Sequence, residues 1–207
     1  MAFPTLLSRA LAPAATIAVL AAPAPAQSAS ELGQVEAHLA AAQSMTASFV
    51  QTDSKNRSLS GTMQMKRPGR IRFEYGRGAN MLLVGNGKTL TFVDYEVGQK
   101  SSWAIAKSPL SVLLSNNPDL SRIARILPTA DKRVLLVRAR DGRRPEFGTM
   151  ILAFVKTPAA PGGLRLEGWT AIDAQNKRTT VKLEGQRYNV AVPEGAFTYA
   201  EPKKRKG

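Results

Sequence analysis

Cysteine is absent from this 207-residue chain, and histidine occurs once, at position 38. Without cysteine there are no disulfides, no thiol nucleophile and no lipid-anchored export signal, because that anchor is attached through a cysteine. A single histidine with no cysteine cannot assemble a zinc site of ordinary composition, so His38 is expected near a helix boundary rather than on a metal. The same shortage leaves no catalytic triad. The carboxylates Glu74, Asp94, Glu146, Glu167 and Asp173 each fall where a solvated strand face or a turn would place them. A phosphate-cradling loop is missing too: Gly76-Arg77-Gly78 has neither the following Lys-Ser/Thr nor a preceding parallel strand. The chain is therefore not expected to be an enzyme or to carry a cofactor or metal, and binding is the function left.

Acidic residues are scarce, 15 against 29 Lys and Arg, for a net charge of +14. Apolar runs are short. Ala10 to Ala22 is apolar but too short, and too broken by Pro13 and Pro23, to span a bilayer. With Arg9 before it and Ala24-Pro25-Ala26 after it, the stretch has the layout of a cleavable secretory signal peptide, residues 1–26. Residues 27–200 are then expected to form one domain, and 201–207, with Lys203-Lys204-Arg205-Lys206, a basic C-terminal tail. Removing Arg9 with the signal leaves 28 basic and 15 acidic residues on a mature chain of 181 residues. An exported chain without an anchor is expected in the periplasm. A field of that sign favours acidic partners and polyanionic surfaces. Export argues against nucleic acid, which leaves an anionic lipid surface or an acidic protein, beside the plain alternative of a solvated convex face.

What is there is β structure, and it is organised around Ser58 to Gln99. Leu59, Gly61, Met63 and Met65 alternate with Ser60, Thr62, Gln64 and Lys66, the period of two that buries one side of a strand and wets the other. Pro68-Gly69 is a turn, after which Ile71, Phe73 and Tyr75 share one face and Arg70, Arg72 and Glu74 the other. Met81 to Val84 is a further apolar run in which both faces are apolar, so the pattern does not choose between Leu82 with Val84 and Met81 with Leu83. Asn86-Gly87 carries the type I′ hairpin signal before Lys88 to Val93. Four strands with short connections build the middle of a curved antiparallel sheet that needs a cover. Met63, Met65, Ile71, Phe73, Leu90 and Phe92 are the candidates for its covered face, and two methionines beside aromatics suit a surface that must mould to a flexible apolar guest. Periodicity alone also describes an ordinary packed core.

Before this stretch, Ser30 to Ser44 has the helical spacing Leu32, Val35, Leu39, Ala42, and Met45 to Gln51 reads as a first strand. After it, the chain returns through Trp103 and Ile105. Ser108-Pro109 is expected to open a short helix with Leu110, Leu113 and Leu114 on one face, Ser108 as its cap. A second amphipathic segment carries Leu120, Ile123 and Leu127. Helices this short are not stable alone and need the sheet beneath them. Arg133 to Ala139, Gly148 to Val155, Leu164 to Ile172 and Arg178 to Leu183 read as strands, for nine or ten in all, with Phe197 and Tyr199 on a last short edge strand.

Several of these motifs occur together, in order, in one known family. Phe49-Val50-Gln51, Gly61 followed by Met65-Lys66-Arg67-Pro68-Gly69-Arg70, Gly85-Asn86-Gly87-Lys88-Thr89-Leu90, the loop Asp94 to Gln99, and Phe197-Thr198-Tyr199 with Pro202 resemble the LolA family of periplasmic outer-membrane lipoprotein carriers. The resemblance implies a mainly β, α+β fold: an incomplete antiparallel β-barrel, or half-barrel, with an N-terminal helix and short lid helices over a hydrophobic cavity. It further implies a monomeric carrier that takes acylated lipoproteins from an inner-membrane lipoprotein-releasing ABC transporter to an outer-membrane acceptor or the outer membrane itself. Under it, Arg67 would hydrogen-bond lid residues and hold the closed form, and Ile71 would contact cargo or donor. A periplasmic lipid or lipoprotein sensor built on a LolA-like domain is the alternative, but such a sensor adds a second domain for which 181 residues leave no room. A lipid-metabolising enzyme on a barrel scaffold would lack its catalytic groups.

Overall fold

A computed structural model describes residues 25–76, 78–116 and 120–203. Most of the expected signal segment and the end of the basic tail, residues 204–207, lie outside the described residues. Helix α1 spans Pro25–Ala41, longer at its start and shorter at its end than the expected Ser30 to Ser44, and buries Val35 and Leu39, with Ala42 buried just past its end. Six strands follow: β1 (Ser44–Thr52), β2 (Ser58–Lys66), β3 (Arg70–Tyr75), β4 (Met81–Asn86), β5 (Thr89–Asp94) and β6 (Gln99–Ala104). Two one-turn helices, α2 (Ser111–Leu114) and α3 (Leu120–Ile123), lead into β7 (Ala124–Leu127), β8 (Val134–Ala139), β9 (Thr149–Lys156), β10 (Leu164–Ile172) and β11 (Arg178–Tyr188).

All eleven strands form one antiparallel sheet in the order β6-β5-β4-β3-β2-β1-β11-β10-β9-β8-β7. It is two meanders, β1 to β6 and β7 to β11, joined where β1 pairs with β11. The sheet curls without closing, because β6 and β7 are its two edges and do not pair. Those edges are consecutive along the chain. Residues 105–123 must therefore cross from one lip of the half-barrel to the other, which is what lays α2 and α3 over its mouth.

The curl has local causes. A bulge interrupts the β1 and β11 pairing between Thr46 and Ser48, where Gly185 of β11 takes a φ of +64°, a left-handed conformation glycine adopts without steric cost. A second bulge at Glu167 bends β10 against β9. Inside the curve lies a single large apolar cluster fed by both meanders, α1 and the mouth-crossing segment. Phe49 packs edge-on to Phe73 and Tyr75, with ring centroids 4.9 and 5.2 Å away, and its ring covers Gly61, where a Cβ would lie 2.9 Å from it and 2.0 Å from the Glu74 carbonyl oxygen.

A smaller cluster sits on the outside. Leu82, Val84 and Val93 are buried there beneath Val192 and Phe197 of the C-terminal segment, which settles the two faces of β4: Met81 and Leu83 turn to the interior. The segment is pinned by Glu194 to Lys66 and Arg70, and by the Arg72 guanidinium donating to the Ala196 and Thr198 carbonyls at 3.2 and 3.0 Å. Those carbonyls are the ones an edge strand would use, so Phe197 and Tyr199 do not form the expected strand; Glu194–Phe197 is a 3₁₀ turn.

Other expectations shift for equally local reasons. The second amphipathic segment is one helical turn and then strand β7, because Ala124 and Ile126 turn inward while Arg125 and Leu127 turn outward in register with β8. Ser108 does not cap α2: its amide closes a 3₁₀ turn on the Ile105 carbonyl and its hydroxyl donates to the same oxygen at 2.9 Å, while Leu110 holds the cap position without a side-chain bond. Of Asn86 and Gly87 only the glycine is left-handed, so the hairpin turn is not type I′, which needs both. His38 sits in the last turn of α1, near the boundary expected for it.

Gly61→Ala should force β2 and β3 apart at Glu74. A urea unfolding curve should show a loss of about 1–3 kcal/mol, the usual cost of overpacking, whereas Gly142→Ala, in open space, should lose far less.

Candidate functional site

Strand register lines the residues of the concave side into rows, buried in the middle of the sheet and exposed where they end on β6. One runs Met45, Met65, Ile71, Gly85, Leu90 and Trp103 across six strands; the next runs Ala47, Met63, Phe73, Leu83, Phe92 and Ser101. All six sheet residues singled out from the sequence thus fall on two adjacent rows of the concave face. Met63, Met65, Ile71, Phe73 and Leu90 are buried, while Phe92 and Leu83, nearer the β6 lip, are half-buried. From the mouth-crossing segment Leu113 and Leu114 are fully buried in the same cluster, and Leu110 packs half-buried against it. The segment is down: its leucines fill the concavity that the sheet leaves.

Met45, Phe154 and Trp169, none of them among the candidates above, share this interior with Leu120 of the second amphipathic segment. Trp169 meets Phe73 edge-on at 6.0 Å from the opposite meander. The inward positions of β9 and β10 were legible as alternation, but nothing in the sequence says that the two meanders face one another.

Arg67 follows β2 in the same alternation as Met63 and Met65, so its side chain enters the apolar interior, where it is 5% exposed. Its Nε donates to the Leu113 carbonyl at 2.9 Å, and its Nη1 to the Ala42 carbonyl at 2.9 Å. Both acceptors lie at helix C-terminal ends, whose last carbonyls have no intrahelical partner and carry the negative end of the helix dipole. The neighbouring Gly69 amide takes the next one, donating to the Leu114 carbonyl at 3.0 Å. Nη2 of Arg67 is buried with no partner. Burial pulls the guanidinium down to about 10, still charged at neutral pH. An uncompensated buried cation is costly, and here two helix ends are what hold it.

His38 stands beside this arrangement, 1% exposed, with its ring edge-on to Phe154 and Tyr188. Its Nδ1 lies 2.8 Å from the Pro161 carbonyl, which can only accept, so Nδ1 carries the proton of the neutral ring. Burial, and after it the Arg67 charge, hold its pKa below the ordinary value against the opposing pull of that carbonyl.

On the outer flank of α2 the packing is loose. A cavity of about 300 Å³ separates Pro109, Val112 and Ser115 from Ile123, Arg140 and Phe147 on the wall side. The mouth-crossing segment is thus fastened on one side by Arg67 and Gly69 and bordered on the other by space.

The fold is thus an open antiparallel half-barrel with an apolar interior, its mouth crossed by a short segment tethered through backbone carbonyls. The chain belongs to the LolA family: the family model described as outer membrane lipoprotein carrier protein LolA matches residues 40–200. It is 29% identical over 201 residues to an outer-membrane lipoprotein carrier protein of Chromobacterium violaceum, covering 93% of each chain. It is 34% identical over 185 residues to one of Nitrosospira multiformis, covering 83% of this chain and 84% of that one. Among solved structures, the LolA superfamily protein NE2245 of Nitrosomonas europaea is similar at a TM-score of 0.45 and 10% identity, over 83% of this chain and 97% of that chain.

The buried neutral His38 has a consequence for stability. Its folded pKa is depressed, so below pH 6.5 the unfolded chain takes up a proton that the folded chain refuses. Stability should be flat above about pH 7 and fall as pH drops, by at most about 1.4 kcal/mol per pH unit. In His38→Asn, urea unfolding between pH 7 and 5.5 should lose that slope.

Proposed function

We propose that this protein is a periplasmic carrier whose apolar interior takes the acyl chains of outer-membrane lipoproteins. It receives them from an inner-membrane lipoprotein-releasing ABC transporter and hands them to an acceptor at the outer membrane or to the membrane itself. In this reading Met63, Met65, Ile71, Phe73, Leu90 and Phe92 are the sheet wall against the chains, Leu110, Leu113 and Leu114 the lid that gives way to them, and Arg67 the latch. The observation that carries it is the pair of bonds from Arg67 to Leu113 and Ala42: they hold the lid against α1 through directional contacts that can be exchanged, not through an interlocked core.

Magnitudes support the exchange. Lifting two buried leucines and breaking one charge-assisted and one backbone hydrogen bond costs about 5–10 kcal/mol. Burying an acyl chain of about fourteen methylenes releases on the order of 11 kcal/mol gross, before the costs of association. The two are close enough for cargo to replace the lid leucines on the same apolar wall, and for the lid to compete in turn when cargo leaves. Loading several chains at once would bind too tightly to reverse without such a competitor, and an ATP-driven donor supplies the work of loading.

Arg67→Leu tests this reading. Removing the latch should leave the sheet folded and uptake from the donor intact, while release to acceptor membranes slows at least tenfold because closure no longer competes with the acyl chain. A two-stage assay that measures loading and release of an acylated lipoprotein separately checks it. Release at the wild-type rate would remove Arg67 from the mechanism. Failure to take up acylated protein by a folded wild-type chain would sink the carrier proposal itself.

A further inference from the structure

The outer face of the sheet is treated differently in its two halves. Over β3 to β5 the chain roofs it with its own Val192 and Phe197. Over β7 to β10 the described residues place nothing on it, although register assembles an aliphatic patch there: Leu127 opposite Leu136 opposite Ala153, flanked by Val134 opposite Val155 and by Ile151. These six are half-buried and belong to neither apolar cluster.

Cations border the patch. Arg125 on β7 lies directly opposite Arg138 on β8, a like-charge cross-strand pair that costs stability. Arg140 continues the Arg138 face, and exposed Lys182 stands on the neighbouring β11 opposite Gly168. None of these four forms an ion pair among the described residues; Arg125 instead donates to the Ser121 and Ala124 carbonyls. The carboxylates bordering this face are Glu167, tied to Arg165, Glu184, and, at its Arg140 end, Asp141, paired with Arg144, with Glu146 and Asp173.

We propose that the outer face of β7–β10 is a docking surface for a bilayer bearing anionic phospholipid headgroups. Charge complementarity selects the occupant. A second copy of the chain would bring like charge against like, and the basic tail has the wrong sign. A protein partner would be expected to meet aromatic anchors, and the inward-facing Phe154 and Trp169 leave this face without one. Long arginine stems lying beside half-buried aliphatics suit a lipid interface, since the stems cover apolar surface while the guanidiniums reach phosphate. The face is opposite to the apolar interior, so a carrier could rest on a membrane with its lid free.

Flotation of the purified chain with vesicles tests this. Binding is expected to vesicles of phosphatidylglycerol in phosphatidylcholine, weakening with salt, and not to phosphatidylcholine alone. Each cation at an anionic surface is worth about a fivefold change in partitioning, so R125Q/R138Q should bind about twenty-five-fold more weakly. Relief of the like-charge pair offsets the two carbonyl bonds that Arg125 gives up, so the same variant should melt within a few degrees of the wild type and should still take up an apolar fluorescent probe, which separates this surface from the carrier interior. The control pair K55Q/K88Q removes the same charge elsewhere. Equal loss in both pairs would reduce the effect to net charge and overturn the proposal, as would wild-type protein that ignores anionic vesicles at low salt. A dimer in solution that Leu136→Asp dissociates would assign the face to self-association instead.

Discussion

A sheet that curls through eleven strands and stops short of closing must cover its concave face with something that is not a strand. In this chain the constraint is sharpened by topology, because the two open edges, β6 and β7, are consecutive in sequence. The connection between them has no path except across the mouth. It is too short in regular structure to be stable alone, with one turn in α2 and one in α3, so it lies where the sheet's apolar rows offer it burial. Fold, lid and interior are one consequence.

A lid that packed like the rest of the core could not leave without unfolding it. The alternative visible here is a cover that contributes leucines on one side and backbone carbonyls on another. Arg67 brings a charge into the apolar interior and finds no carboxylate, only the C-terminal carbonyls of α1 and α2. Helix ends are good acceptors for a cation and poor anchors in every other respect. Removing the lid would cost the guanidinium one hydrogen bond and leave an apolar void where the leucines were, and in the carrier we propose the acyl chain is what fills it.

Much of this was legible in the sequence where one strand face is wet. Residues 61 to 75 alternate cleanly because the outward positions Gln64, Lys66, Arg70, Arg72 and Glu74 are all polar, and that alternation also placed Arg67 on the inner side. β4 was not legible, since Leu82 and Val84 are buried under the C-terminal segment as thoroughly as Met81 and Leu83 approach the interior, and periodicity vanishes when both faces are covered. Phe197 and Tyr199 alternate like an edge strand but act as a roof, a distinction that depends on Arg72 claiming their neighbours' carbonyls. The Ala42 carbonyl that Arg67 uses carries no sequence signal, because any residue supplies one. The mouth-crossing role of residues 105–123 depends on the β1 and β11 pairing, a long-range contact that local pattern cannot reveal.

The central claim is that the lid opens as a unit while the sheet stays folded. Backbone amide exchange of the apo protein measures this directly, comparing the Gly69 and Leu114 amides at the latch with the Met63 and Met65 amides in the central hairpin. The account predicts that the latch amides exchange at least a hundredfold faster than the hairpin amides, and that Arg67→Leu widens the gap by accelerating the latch alone. Equal protection at both places, lost together in the variant, would mean that the lid is part of one cooperative core, and would contradict it.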